Sequence, residues 1–304
     1  MGLSRVSIVA GRNRRSNVYK SLQMIREDVE ERVAGCEDVL VKPNFVSTSN
    51  QLAATHVEAA RAVIEFLDEL GVARVVVAES PALGSAAEGY SNYGYYSLVE
   101  DFGVELVDLE KGDFQTFWVY DANLEERIPV QVSKLVLNSD LRVSVSPPKT
   151  HDTVIVTLSL KNMVVGSIRR ADKPRIHQGY RAINLSIAKL APFVYPHLAV
   201  LDGFVGMEGR GPVSGDPVHL GAAVSSTDFL AADSTMARIM GFSPEEVGYL
   251  YYSKVMGLGR MGETEIEVVG ERVESVRKRF RPHPFFREQK NWWVENPRKY
   301  LGVG

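Results

Sequence analysis

Asp38-Val39-Leu40-Val41-Lys42-Pro43-Asn44 and Arg74-Val75-Val76-Val77-Ala78 are short apolar runs, and the second leaves its end through Glu79-Ser80-Pro81. Each has the length and the β-branched content of a buried strand. Between them, a helix is expected from Thr55 through Leu70, with Thr55 as N-cap, Glu58 completing a capping box and Gly71 as the stop. Strand, helix and strand at this spacing imply a right-handed crossover and a mostly parallel sheet.

The same alternation extends in both directions. Val6 to Ala10 reads as a first strand, followed by a helix over Ser16 to Ala34. Further strands are expected at Gly103–Leu109, within Phe117–Val132, and at Leu141–Val145, His197–Leu201 and Leu220–Ser225. Helices are expected at Gly179–Phe193 and Thr227–Met240. The expected fold is therefore α/β, with mostly parallel sheets, flanking helices and two lobes around a crevice. The expected α/β domain covers 1–245, with sub-lobes 1–135 and 136–245, and 246–304 is a C-terminal extension.

A chain of 304 residues with 45% apolar and 24% charged residues is typical of a globular protein with a substantial core. No apolar stretch approaches the roughly 20 residues of a membrane span, and the first strand is too short for a secretory signal. A cytoplasmic protein is the expectation. A net charge of −3 argues against a whole-protein nucleic-acid footprint. The single cysteine, Cys36, excludes an intrachain disulfide and any iron–sulfur cluster held by several cysteines. Few Cys and Gln with many Arg, Val and Glu are compatible with a thermophilic source.

Polar groups of functional type crowd Ser146 to Gly241. Lys42-Pro43-Asn44 sits at the carboxyl end of a strand, where open α/β sheets place their ligands. Pro147-Pro148-Lys149-Thr150-His151 repeats that logic, with Lys149 and His151 two apart on an extended segment. Lys161-Asn162 and His177 follow. A lysine cluster can hold an anion, and a lysine whose pKa is lowered by neighbouring cations can act as base or nucleophile. The loop Gly206-Met207-Glu208-Gly209-Arg210-Gly211-Pro212 lets backbone amides approach an anion, with Arg210 placed for a bidentate contact. It contains no nucleotide-binding fingerprint.

Lys149, His151, Lys161, His177 and Glu208 are the candidate catalytic residues. Lys42, Asn44, Asn162, Asp202, Gly209, Arg210, Gly211 and Asp233 are the candidate binding residues. His151, His177, Asp202 and Glu208 have the chemistry of metal ligands, but their spacing matches no compact ligand motif, so a divalent metal is not favoured and no metal ligand is assigned. Asp228 needs no more than a place in the first turn of its helix. The tail Arg277 to Gly304 mixes basic residues with Phe280, Phe285, Phe286, Trp292, Trp293 and Tyr300. Docking on the protein's own body or on a second copy is favoured over nucleic-acid binding.

Lys42-Pro43-Asn44, Pro148-Lys149-x-His151, Ser159-Leu160-Lys161-Asn162, His177, the stretch from Asp202 through Gly215 and the Asp228–Gly241 helix resemble the family catalogued as domain of unknown function 362. The resemblance covers most of Asp38 to Gly241 and implies little chemistry. Many members carry a cysteine-rich iron–sulfur segment, which this chain lacks. A fainter similarity is to the lactate racemase type of fold, whose site uses lysines and histidines around a nickel-pincer cofactor. The cofactor here is left unknown. The expected function is an enzyme acting on a small carboxylate or phosphate in a crevice lined by Lys, His and Arg. A non-catalytic carrier or maturation factor and a nucleic-acid-associated protein are the alternatives.

Overall fold

A computed structural model describes residues 2–303. In chain order the strands are β1 (Ser4–Ala10), β2 (Asp38–Lys42), β3 (Arg74–Glu79), β4 (Glu105–Asp108), β5 (Phe114–Tyr120), β6 (Arg127–Ser133) and β7 (Leu141–Ser146). They continue as β8 (Lys149–His151), β9 (Ile155–Thr157), β10 (Leu198–Gly203), β11 (Gly206–Glu208), β12 (Asp216–Val218), β13 (Ala222–Ser226) and β14 (Ile266–Gly270).

Eight of them form one sheet in the order β14-β1-β13-β10-β7-β2-β3-β4. All pairings are parallel except the two made by β13. The fold is thus α/β and mostly parallel, as the alternation of elements predicts. The sheet draws strands from both expected sub-lobes, and β14 comes from the expected extension and pairs with β1. Residue 245 is therefore not a boundary in the sheet.

From β2 the chain moves outward through β3 to β4. It then returns to β7, on the other side of β2, and continues away through β10 and β13. β2 and β7 are where the direction of winding reverses, and a crevice opens outside the carboxyl ends of such strands. A four-stranded sheet, β12-β11-β8-β9, stands at this end.

Successive residues of β2 feed opposite faces. Leu40 joins a core with Ile183, Ile187 and Met236, while Val39 and Val41 join one with Val63, Ile64 and Phe66. A strand covered on both faces needs this continuous apolar run.

Two local expectations change. The first long helix is two, Arg14–Gln23 and Arg26–Val33. The helix Val57–Glu69 is capped by His56, whose Nδ1 accepts from Glu58 N at 3.2 Å, and not by Thr55. The Thr55 hydroxyl instead donates to Val145 O at 2.7 Å and accepts from Asn44 N at 2.8 Å. It thereby ties the exit of β2 to the end of β7.

The tail packs on its own chain. Trp292, Val294 and Leu301 bury against Ala182, Leu185 and Tyr252, and Trp292 Nε1 donates to Glu246 O at 2.6 Å. Phe285 and Trp293 stay exposed. Among the described residues, no helix is long and apolar enough to cross a membrane.

Candidate functional site

The carboxyl ends of β2 and β3 supply the floor of a cavity of about 220 Å³. Its lining includes Asn44, Glu79, Ser80, His151, Asp152, Lys161, Asn162, Lys173 and His177. Pro212 and Val213 close one side.

Four lysines, Lys42, Lys149, Lys161 and Lys173, are buried in or beside this cavity. Each handles its charge differently. Lys42 pairs with Glu79 and donates to Pro43 O at 3.0 Å, and its stem fills the space that a β-carbon at Gly166 would need. Glu79 Oε1 accepts from Phe45 N at 2.7 Å, so this carboxylate joins the exits of β2 and β3. Lys149 donates to Asn44 Oδ1 and to Ala53 O at 2.8 Å. Lys173 donates twice to Ser80, to its carbonyl and at 3.1 Å to its hydroxyl.

Lys161 is the exception. It is 6% exposed, lines the cavity, and makes no hydrogen bond or ion pair among the described residues. An isolated buried ammonium is costly unless something compensates it. Burial pushes Lys161 and Lys173 down to about 8. It pushes Lys149 down to about 7, with Lys161 as the next cause.

Asn162 ties the lysines together. Its Oδ1 accepts from Asn44 Nδ2 at 3.0 Å, and its Nδ2 donates to Ser144 Oγ at 2.9 Å. The helix Ser159–Gly166 that carries Lys161 and Asn162 begins on a buried carboxylate. Asp233 Oδ1 accepts from Ser159 N at 2.9 Å and Ser159 Oγ at 2.6 Å, and Oδ2 from Leu160 N at 3.0 Å. Asp233→Asn puts an NH₂ where one of these donors now binds, so about 1–2 kcal/mol of stability should be lost in urea denaturation.

The two histidines stack, with ring centroids 6.2 Å apart and planes within 19°. Both are held below the usual histidine range, first by burial and then by Lys161, and His151 falls to about 3. They are neutral at physiological pH. His177 Nδ1 donates to Lys173 O at 2.8 Å, which leaves Nε2 as a proton acceptor. His151 Nδ1 lies 2.9 Å from Asp152 Oδ1 and 3.0 Å from Thr153 N. The turn after His151 ends at Ile155, a β-branched residue with φ of 70°. Such strain at a bulky residue persists where surrounding structure holds it, often beside functional groups.

Five of the thirteen candidate residues line the cavity: Asn44, His151, Lys161, Asn162 and His177. Lys42 reaches it through Glu79. Lys149 reaches it through Asn44. The others stand elsewhere. Asp202 pairs with Arg14 at 2.9 Å. Glu208 accepts from Arg281 N at 2.8 Å. Arg210 is exposed and outside the lining. Gly209 has φ of 71° against the Arg281 side chain, and Gly211 leaves no room for a β-carbon against Thr150 O. The glycine loop packs closely on β8 and delivers Pro212 and Val213 to the cavity. Asp233 acts behind the site, as the cap.

Sequence reasoning missed Glu79, Ser80, Asp152 and Lys173. Glu79 obeys the strand-exit rule that singles out Lys42. Lys173 carries no local signal in Arg169-Arg170-Ala171-Asp172-Lys173-Pro174. Among the described residues, no three His, Cys, Asp or Glu converge as metal ligands.

A family described as a domain of unknown function, DUF362, matches residues 39–238. A thylakoid-associated protein of Synechocystis is 25% identical over 225 residues, covering 72% of this chain and 68% of that protein. The lactate racemase apoprotein of Thermoanaerobacterium thermosaccharolyticum superposes with a TM-score of 0.47 at 11% identity, over 79% of this chain and 57% of that one.

Proposed function

The chain belongs to the domain of unknown function family DUF362, and we propose that it is an enzyme acting on a small anionic metabolite held in the Lys161 cavity. The observation that carries this is the imbalance of buried charge. Four buried lysines meet one buried carboxylate, Glu79, and one half-exposed carboxylate, Asp152, in the cavity region, and Lys161 faces the cavity without a hydrogen bond or ion pair among the described residues. An anion would supply the missing partner through charge-assisted hydrogen bonds. Arg210 is not part of the reading, because it stands on the surface.

Lys161, with a pKa lowered toward neutrality, beside the neutral His177 with its Nε2 unprotonated, is suited to proton transfer near neutral pH. In this reading Lys161 and Lys173 hold the anion, His177 moves protons at Nε2, and Asn162 keeps Lys42 and Asn44 in place. The cavity lies below the roughly 300 Å³ at which drug-sized pockets begin, so the ligand is small.

Calorimetric titration with acetate, succinate and phosphate should show binding of at least one of them, absent in Lys161→Met. Equal binding by the variant would refute the assignment. Proton NMR of each bound anion over time then separates turnover from a carrier role.

Binding should also weaken as pH rises. The anion needs protonated lysine, and Lys161 and Lys173 lose their protons about pH 8. With two protons required, affinity is therefore expected to be near constant from pH 6 to 7 and to fall up to about a hundredfold per unit well above 8. Calorimetry across that range checks it; a profile that stays flat to pH 10 contradicts it.

A further inference from the structure

We propose that Lys161 forms an imine with the carbonyl of a small 2-oxo acid whose carboxylate is held by Lys173. This deepens the anion-site reading and rests on it. Lys42 is saturated by Glu79, Pro43 O and Asn162 Oδ1, the last at 3.5 Å, and Lys149 is turned to Asn44 and Ala53. Lys161 alone has all its nitrogen valences uncommitted, on the cavity wall. Lys173 spends two protons on Ser80 and keeps a third for a ligand in the same cavity. One free amine and one spare ammonium suit a ligand with an electrophilic carbonyl next to a carboxylate.

The neutral Lys161 amine attacks the carbonyl carbon, and the C=O π pair moves to oxygen, giving a carbinolamine. The two amine hydrogens leave with the carbonyl oxygen as water, so the C–O bond breaks as the C=N bond forms. No oxidant or reductant enters. His177 accepts the first hydrogen at Nε2 and returns it to the departing oxygen, because its Nδ1 hydrogen is committed to Lys173 O. The partly deprotonated state of a lysine near 8 supplies the lone pair at neutral pH.

The test incubates the full chain with glyoxylate, pyruvate or 2-oxoglutarate, adds sodium borohydride, and reads intact mass and peptide map. Expected is a stable adduct of the acid less one oxygen, confined to Lys161 and lost in Lys161→Arg. Thermal shift with the same acids, and with succinate as a carbonyl-free control, runs in parallel. A thermal shift without adduct overturns the imine and leaves the anion site standing. Adduct spread over surface lysines, or formed equally after urea denaturation, overturns it as well. Neither shift nor adduct with any of these anions overturns both readings.

Discussion

Lys161→Met makes the ligand-free protein more stable and insensitive to anions. Lys161 is buried, faces a cavity and has no hydrogen-bond or ion-pair partner among the described residues, so its desolvation is offset only by the field of Asp152 across the cavity. Methionine fills a similar stem volume and removes the charge. Replacing buried ionic groups with apolar ones of similar size often stabilises by about 1–4 kcal/mol, and a gain in that range is expected in urea denaturation at pH 7. The sign with pH follows from the lowered pKa. The wild-type penalty is fully present below about pH 8, where the folded lysine is charged, and vanishes as pH rises toward the unfolded value of roughly 10.4. The gain should shrink over that window. A purely structural lysine would give the opposite result, a loss of stability at pH 7.

Glu79→Gln should cost the most stability of any single change at the site. Glu79 is the buried carboxylate among the four lysines, and it bridges Lys42 on β2 to Phe45 N just beyond. Glutamine keeps one acceptor but leaves Lys42 as a second uncompensated charge. Breaking a buried pair from one side costs about 3–5 kcal/mol. The double variant Glu79→Gln, Lys42→Met should recover a substantial part of it, since both members of the pair are then neutral. If the single variant is within experimental error of wild type, the coupling assigned to this pair is wrong.

The fold was legible because β2, the helix after it and β3 state their periods plainly, and the positional rule for parallel sheets then puts Lys42 and Asn44 at a ligand crevice. His151, Lys161, Asn162 and His177 were findable as functional-type polar groups crowded into the stretch that follows the exit of β7. Arg210, Glu208, Gly209 and Gly211 misled for a physical reason. Glycines permit close backbone approach to anything, and here they approach Thr150 and Arg281. Asp233 misled because a buried carboxylate capping a helix looks, in sequence, like one facing a ligand. Lys173 was not legible, because its hydrogen-bond partner, Ser80, lies just beyond β3, far away in the chain. The strand at Ile266–Gly270 was missed because its exposed edge residues Glu267 and Val268 dilute the pattern.

The central claim is that the cavity beside Lys161 is an anion site. Anomalous diffraction from crystals of this chain soaked in bromide tests it most directly, since the halide reports where an anion settles without any assumption about substrate. The account predicts a bromide within hydrogen-bonding distance of Lys161 Nζ, between His177 and Lys173. Bromide confined to surface arginines, with the cavity empty of it, would contradict the account.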